Sequence, residues 1–377
     1  MSRRPWRPAL SDLFLLILFS LLLSFLFWKA IEVGADSAVR VKKSAEFPLR
    51  FRYDGTFKIL QVADMHFGNG AVTRCRDVLP FESARCSDLN TTQFLRRMIE
   101  AEKPDLIAFT DAAESLFQVF RPAMESRIPW AAILGNHDQE STMTRGELMS
   151  FISLMDYSVS QLNPPGFKID GFGNYDIRVH GAFSSGMANT SVLNLYFLDS
   201  GDRAMVGGVR TYGWIRESQL TWLRTASQNL QQGIFPAPAL TFFHIPIPEV
   251  RDLWYRGFVG KYQEAVACSM FNSGVLKSLT SMGDVKAVFL GHDHLNDFCG
   301  NIDGIWFCYG GGFGYHGYGR AGWPRRGRVI LSQLRKGKKA WMGVESIRTW
   351  KRMDDETLTK TDEQVLWSDG GMEDVDH

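Results

Sequence analysis

Four short stretches carry side chains of the types that hold metal ions: Asp64-Met65-His66, Gly135-Asn136-His137-Asp138, His244, and Gly291-His292-Asp293-His294. Each follows an apolar run that reads as a buried strand, over residues 58–64, 129–134, 238–244 and 285–290. Two imidazoles one residue apart at a strand tip can be aimed at one mouth of a sheet, and Gly291 lets the backbone turn there. Phosphate-ester hydrolysis needs charge neutralised on the phosphoryl oxygens and a strong nucleophile at mild pH. Two metal ions about 3.5–4 Å apart do both by holding a bridging hydroxide for in-line attack. Such a pair wants mixed oxygen and imidazole ligands with open positions, and Asp64, His66, Asn136, His244, His292 and His294 offer that set. His137 is better placed as a general acid toward the leaving group, with Asp138 as its orienter.

These side chains must be positioned by the rest of the chain. Its 377 residues suit one large domain or two small ones. Residues 89–102 read as an amphipathic helix, residues 105–110 as a second buried strand, and residues 145–156 and 215–230 as further helices. Later strands are expected at 191–200, 304–310, 327–334 and 340–347. Strands alternate with helices early and run together late. This order predicts an α/β (α+β) fold, a two-sheet sandwich flanked by helices, with the chemically active residues just beyond strand C-terminal ends.

A net charge of +1 gives no reason to expect nucleic acid as a partner. Arg3, Arg4 and Arg7 precede an apolar run at 13–28, so residues 1–35 read as either a cleaved signal peptide or a signal anchor. The anchor would be the chain's one membrane contact, and both options deliver the remainder to the secretory lumen or outside. Residues 36–50 read as a linker, 51–350 as the folded domain and 351–377 as an acidic, solvated tail. Five cysteines fit that compartment: Cys299 and Cys308 flank a strand–turn–strand pattern, Cys75 and Cys86 bracket a polar loop, and Cys268 is left over. Asn90 and Asn189 are glycosylation acceptors in the same compartment. Nothing identifies an oligomeric state.

The runs VADMHFG, AILGNHDQES, FFHIPIPE, GHDHLNDFC and CYGGGFGYHGYG resemble the calcineurin-like metallophosphoesterase superfamily, and more narrowly plant purple acid phosphatases of the single-domain type. The resemblance covers residues 55 to 350 or so. It implies a pair of β-sheets between helices, a dinuclear iron–zinc (or manganese) centre and a small phosphate-ester substrate. Asp64, His66 and His294 would hold one metal, and Asn136, His244 and His292 the other. His137 would support the transition state, with Asn136, His292 and His294 also meeting substrate. The family's Gly-Asp pair after the second strand, which bridges the metals, is absent: IAFT runs directly into DAAES. Asp111 reads first as the cap of a helix over 111–120, with Glu114 completing a capping box, and second as a displaced bridge. Loss of the bridge predicts weakened or absent turnover, and no tyrosine near this segment predicts no tyrosinate charge-transfer band. In the glycine-rich loop at 310–319, Tyr315, His316 and Tyr318 either line the substrate mouth or pack a tight connection.

Overall fold

The computed structural model describes residues 14–15, 17–25, 41–111, 116–138, 143–183, 185–231 and 236–370. The chain divides into a unit of residues 1–42 and a unit of residues 43–377. In the first, the described residues 14–15 and 17–25 are helical and exposed. No helix among the described residues is long and apolar enough to cross a membrane. The rest of the leader, and with it the choice between signal peptide and anchor, lies outside the described residues.

In the second unit the strands are β1 (Leu49–Arg50), β2 (Thr56–Val62), β3 (Leu106–Phe109), β4 (Trp130–Ala132), β5 (Tyr175–His180), β6 (Ser191–Phe197), β7 (Arg203–Val206) and β8 (Val209–Tyr212). They continue with β9 (Ala239–Phe242), β10 (Val285–Leu290), β11 (Cys299–Ile302), β12 (Ile305–Tyr309), β13 (Arg326–Lys336), β14 (Trp341–Met353) and β15 (Lys360–Ser368). A seven-stranded sheet runs β1-β5-β6-β9-β10-β12-β11 and a six-stranded sheet runs β15-β14-β13-β2-β3-β4, while β7 and β8 pair only with each other. Within the sheets β6, β9, β10 and β12 are parallel neighbours, as are β2, β3 and β4. Shared strand direction is what gathers their C-terminal tips at one end.

The two sheets are flanked by helices, as the element order predicts. Helix α1 (Leu89–Glu102) lays Phe94, Leu95 and Met98 into the core, and Phe94 stacks on Phe313 with ring centroids 4.4 Å apart. Each such side chain contributes roughly 1.5–3 kcal/mol by leaving water. Helix α2 (Arg145–Ser153) starts at a Thr144/Glu147 capping box, and α3 (Glu217–Leu230) covers the seven-stranded sheet. Both expected disulfides form, Cys75–Cys86 and Cys299–Cys308, the second across directly paired positions of β11 and β12; Cys268 is a buried free thiol.

Two boundaries differ from expectation. The ordered unit begins inside the expected linker: β1 pairs with β5, and the backbone N–H of Lys43 donates to Asp156 at 3.0 Å. Leu49 and Phe51 are buried, which supplies the reason for this docking. The expected tail continues as the end of β14 and all of β15, an edge strand of the six-stranded sheet. Its acidic residues are structural partners: Asp354 pairs with Arg97, and Asp362 pairs with the buried Lys351 at 2.6 Å. Glu373, Asp374 and Asp376 lie outside the described residues. Asn189 is exposed in a turn, whereas Asn90 sits in the first turn of α1 and accepts the Ser87 N–H.

Candidate metal centre

The loops that follow β2, β3, β4, β9 and β10 converge where the C-terminal tips of both sheets meet. Beneath them the buried Gln61 ties the sheets together, donating to the Leu290 carbonyl at 2.9 Å and the Thr110 hydroxyl at 3.3 Å. Asp64, His66 and His292 hold left-handed backbone angles, with φ of 55°, 42° and 81°. Such angles cost of order 1–3 kcal/mol each and persist where surrounding structure dictates them, commonly at ligand clamps. Gly291 has no positive φ; its reason is close approach, since a Cβ there would lie 2.9 Å from both His244 Nδ1 and the Thr110 carbonyl.

Two groups of ligand-type atoms result. In one, single ligand atoms of Asp64, His66 and His294 all lie within 4.8 Å of one another. His66 Nε2 and His294 Nε2 are 3.0 Å apart, and His294 Nε2 is 3.7 Å from Asp64 Oδ1. In the other, Asn136 Oδ1 lies 2.8 Å from His244 Nε2 and 2.8 Å from His292 Nδ1. The groups adjoin, because Asp64 Oδ1 accepts the His292 N–H at 2.7 Å.

The surroundings choose the tautomers. His244 Nδ1 donates to the Thr110 carbonyl at 2.7 Å and His294 Nδ1 to the Tyr318 carbonyl at 2.8 Å. In each neutral ring the Nε2 that faces the site is then left with a lone pair. Burial keeps these rings neutral: it pushes His66, His244 and His294 well below the usual imidazole range and His292 down to about 3. Burial also pushes Asp64 well above the usual carboxylate range, opposed by the His292 N–H. Asp64 Oδ2 and His292 Nε2 are buried without a hydrogen-bond partner among the described residues. Lone pairs facing lone pairs, beside an orphaned carboxylate oxygen, are a poor arrangement for protein atoms alone and a good one for cations. The residues fit a dinuclear centre.

Residues 112–115, where the expected capped helix would start, lie outside the described residues. Asp111 is fully buried, with Oδ2 3.5 Å from His66 Nε2. Its Oδ1 presses against Gly135, where a Cβ would come within 2.1 Å of it. It therefore lies between the two groups. Glu114 is outside the described residues.

His137 stands half-buried at the wall of a cavity of about 280 Å³, its ring centroid 4.8 Å from that of His66. Asp138 accepts the Gly135 N–H and closes the turn, and Arg203 faces the His137 ring nitrogens at 3.3 and 3.5 Å. Of the three residues in the glycine-rich loop only Tyr318 lines the cavity, with its ring stacked on His294 at 3.9 Å. The Tyr315 hydroxyl donates to Asp354, and His316 meets the Arg74 carbonyl outside the cavity. Arg203, Tyr212 and Glu264 also line the cavity and were missed in sequence, because all three sit in polar connecting stretches with no motif.

Two mixed sheets that bring an imidazole–carboxylate–amide cluster to their common end define a metallophosphoesterase. The calcineurin-like phosphoesterase profile matches residues 57–296, and the chain belongs to that family. It is 62% identical over 350 residues to "Probable inactive purple acid phosphatase 28" of Arabidopsis thaliana, covering 87% of this chain and 88% of that protein. It is 52% identical to "Probable inactive purple acid phosphatase 29" of the same plant, covering 85% and 88%. "Phosphatase DCR2" of Saccharomyces cerevisiae is 32% identical over 80% of this chain and 54% of its own length. In fold, the chain resembles the crystal structure of a dimetal phosphatase from Danio rerio, with TM-score 0.50 and 15% identity over 83% of this chain and 99% of that one.

Proposed function

We propose that this protein hydrolyses phosphate monoesters, with iron and zinc or manganese held by Asp64, His66 and His294 on one side and by Asn136, His244 and His292 on the other. Asp111 is the carboxylate between them. The observation that carries the reading is two meetings of buried lone pairs, His244 Nε2 against Asn136 Oδ1 and His294 Nε2 against His66 Nε2, with the Nδ1–H of His244 and of His294 committed to backbone carbonyls. Metal ions there would neutralise charge on the phosphoryl oxygens and supply an activated nucleophile. His137 is placed to donate a proton to the leaving-group oxygen. Asn136 adds a neutral oxygen, which leaves the site Lewis-acidic. The two disulfides suit an oxidising compartment, and we place the protein in the secretory pathway.

Turnover is expected to be slow, because the turn after Thr110 lacks the Gly-Asp pair. That departure, and the word "inactive" in the names of two relatives, favour a second reading: a metal- or phosphate-binding homologue without catalysis. Metal content per chain, measured beside hydrolysis of p-nitrophenyl phosphate and its bis-ester from pH 4 to 8, separates them. Two metals with monoester turnover above diester turnover support the proposal. One metal and no rate above buffer selects the binding homologue, and a diester preference selects a phosphodiesterase on the same scaffold.

A further inference from the structure

The β7–β8 hairpin belongs to neither large sheet, yet both of its root residues line the metal cavity. Arg203 and Tyr212 are direct cross-strand partners. Residues opposite one another in an antiparallel pair project on the same face, so one ribbon delivers both. Its tip is a Gly207-Gly208 turn with φ of 56° and 79°, the backbone a tight two-residue hairpin requires. Tyr212 meets His292 edge-on, with centroids 4.4 Å apart and planes at 83°. Arg203 brings its guanidinium to His137, the residue assigned to the leaving group.

The root of the hairpin is held to the ligand turn. Arg145, itself buried, donates to the Gly135 carbonyl at 2.6 Å and pairs with Asp199, four residues before Arg203. On the other strand the Thr211 hydroxyl accepts the Met270 N–H at 2.9 Å. The ribbon thus carries its arginine at a fixed distance from Asn136 and not on a free loop. Among the described residues lining the cavity, Arg203 is the one permanently charged cation; the others that could be positive are imidazoles.

We infer that Arg203 binds the phosphoryl oxygens of the substrate from the His137 side of the cavity, and so selects dianionic monoesters over singly charged diesters. A planar guanidinium offers two parallel N–H donors to two phosphoryl oxygens, and a dianion gains more from it than a monoanion. This rests on the function proposed above and extends it to a residue outside the metal-ligand loops.

The test uses the metal-loaded full chain with orthophosphate as probe, by calorimetry, alongside metal content. Arg203→Met should weaken orthophosphate binding about 10–100-fold, the effect of losing a charged hydrogen-bond donor, with metal per chain unchanged. Arg203→Lys should recover part of the loss, since it restores charge without the fork. For p-nitrophenyl phosphate kcat/KM should fall by a similar factor, and for the bis-ester by much less. Binding within two-fold of wild type in Arg203→Met, an equal loss on both esters, or loss of metal together with phosphate would each overturn the inference. Wild type that carries two metals but binds no orthophosphate overturns it while leaving the metal centre standing. Wild type that takes up no metal removes the centre and the inference with it.

Discussion

Replacing Gly135 with alanine perturbs Asp111 without changing any ligand-type side chain. The added Cβ would lie 2.1 Å from Asp111 Oδ1 and 2.9 Å from its Cγ, whereas real Cβ contacts essentially never fall under 3.0 Å, so the carboxylate must retreat by at least 0.9 Å. A metal–oxygen bond of about 2.0–2.2 Å tolerates roughly 0.2 Å. The displacement is several times that. If Asp111 bridges, Gly135→Ala should release one ion and keep the other. The lost ion should bind at least ~10–100-fold more weakly, since even an outer partner of a ligand is worth that much. Asp111→Asn, which keeps the shape and removes the charge, should do the same. Plasma mass spectrometry of dialysed protein gives ions per chain, and titration of the apoprotein with zinc or manganese gives affinity. Two ions per chain at unchanged affinity in both variants would refute a ligand role for Asp111. Loss in Gly135→Ala alone would trace instead to His244, whose Cε1 lies 3.2 Å from the same Cβ.

Three further outcomes follow from the same structure. Tyr318→Ala removes the ring stacked on His294 and should weaken metal binding about 10–100-fold, with Tyr318→Phe milder because the stack survives; equal metal affinity in wild type and Tyr318→Ala would show the stack to be idle. Asp297→Asn leaves the buried Arg326, 2.6 Å from its carboxylate, without that charge and takes one of two carboxylates from the buried Lys351, which keeps Asp362, and should cost roughly 3–5 kcal/mol in chemical denaturation; a loss under 1 kcal/mol would contradict it. Glu102 is buried, which alone would raise its pKa, but Arg352, Trp350 and Lys58 outweigh that and hold it below the usual glutamate value of 4.5. The stability from that depressed pKa is therefore present above 4.5 and lost as pH falls through the lower folded value. Glu102→Gln should be destabilised by about 1.5–3 kcal/mol at pH 7, and the gap from wild type should close in acid; a gap that stays constant to pH 3 would show that its charge is irrelevant.

The chain by itself determined which atoms are gathered. Apolar runs of strand length ending in Asp64, Asn136, His244 and His292 admit few arrangements other than tips of buried strands, because unpaired backbone cannot be buried and parallel neighbours share a direction. The 3.6-residue spacing of Phe94, Leu95 and Met98 made α1 legible for a similar reason, and the turn between Cys299 and Cys308 made their pairing legible. Tertiary structure alone decided where side chains without such a pattern point. Asp111 suits a helix cap in sequence, and only the folded chain shows its carboxylate packed against Gly135 and beside His66. Arg203 lies on a ribbon whose residues are largely exposed, so no buried face marks it, and Arg145 and Asp199 bring it to the site across separations no local pattern records. Strand β15 reads as a charged tail because an edge strand buries few of its side chains; its place comes from backbone pairing with β14 and from the ion pair of Asp362 with Lys351. Burial leaves a periodic trace along a chain, whereas direction and pairing across space are settled only when the chain has folded.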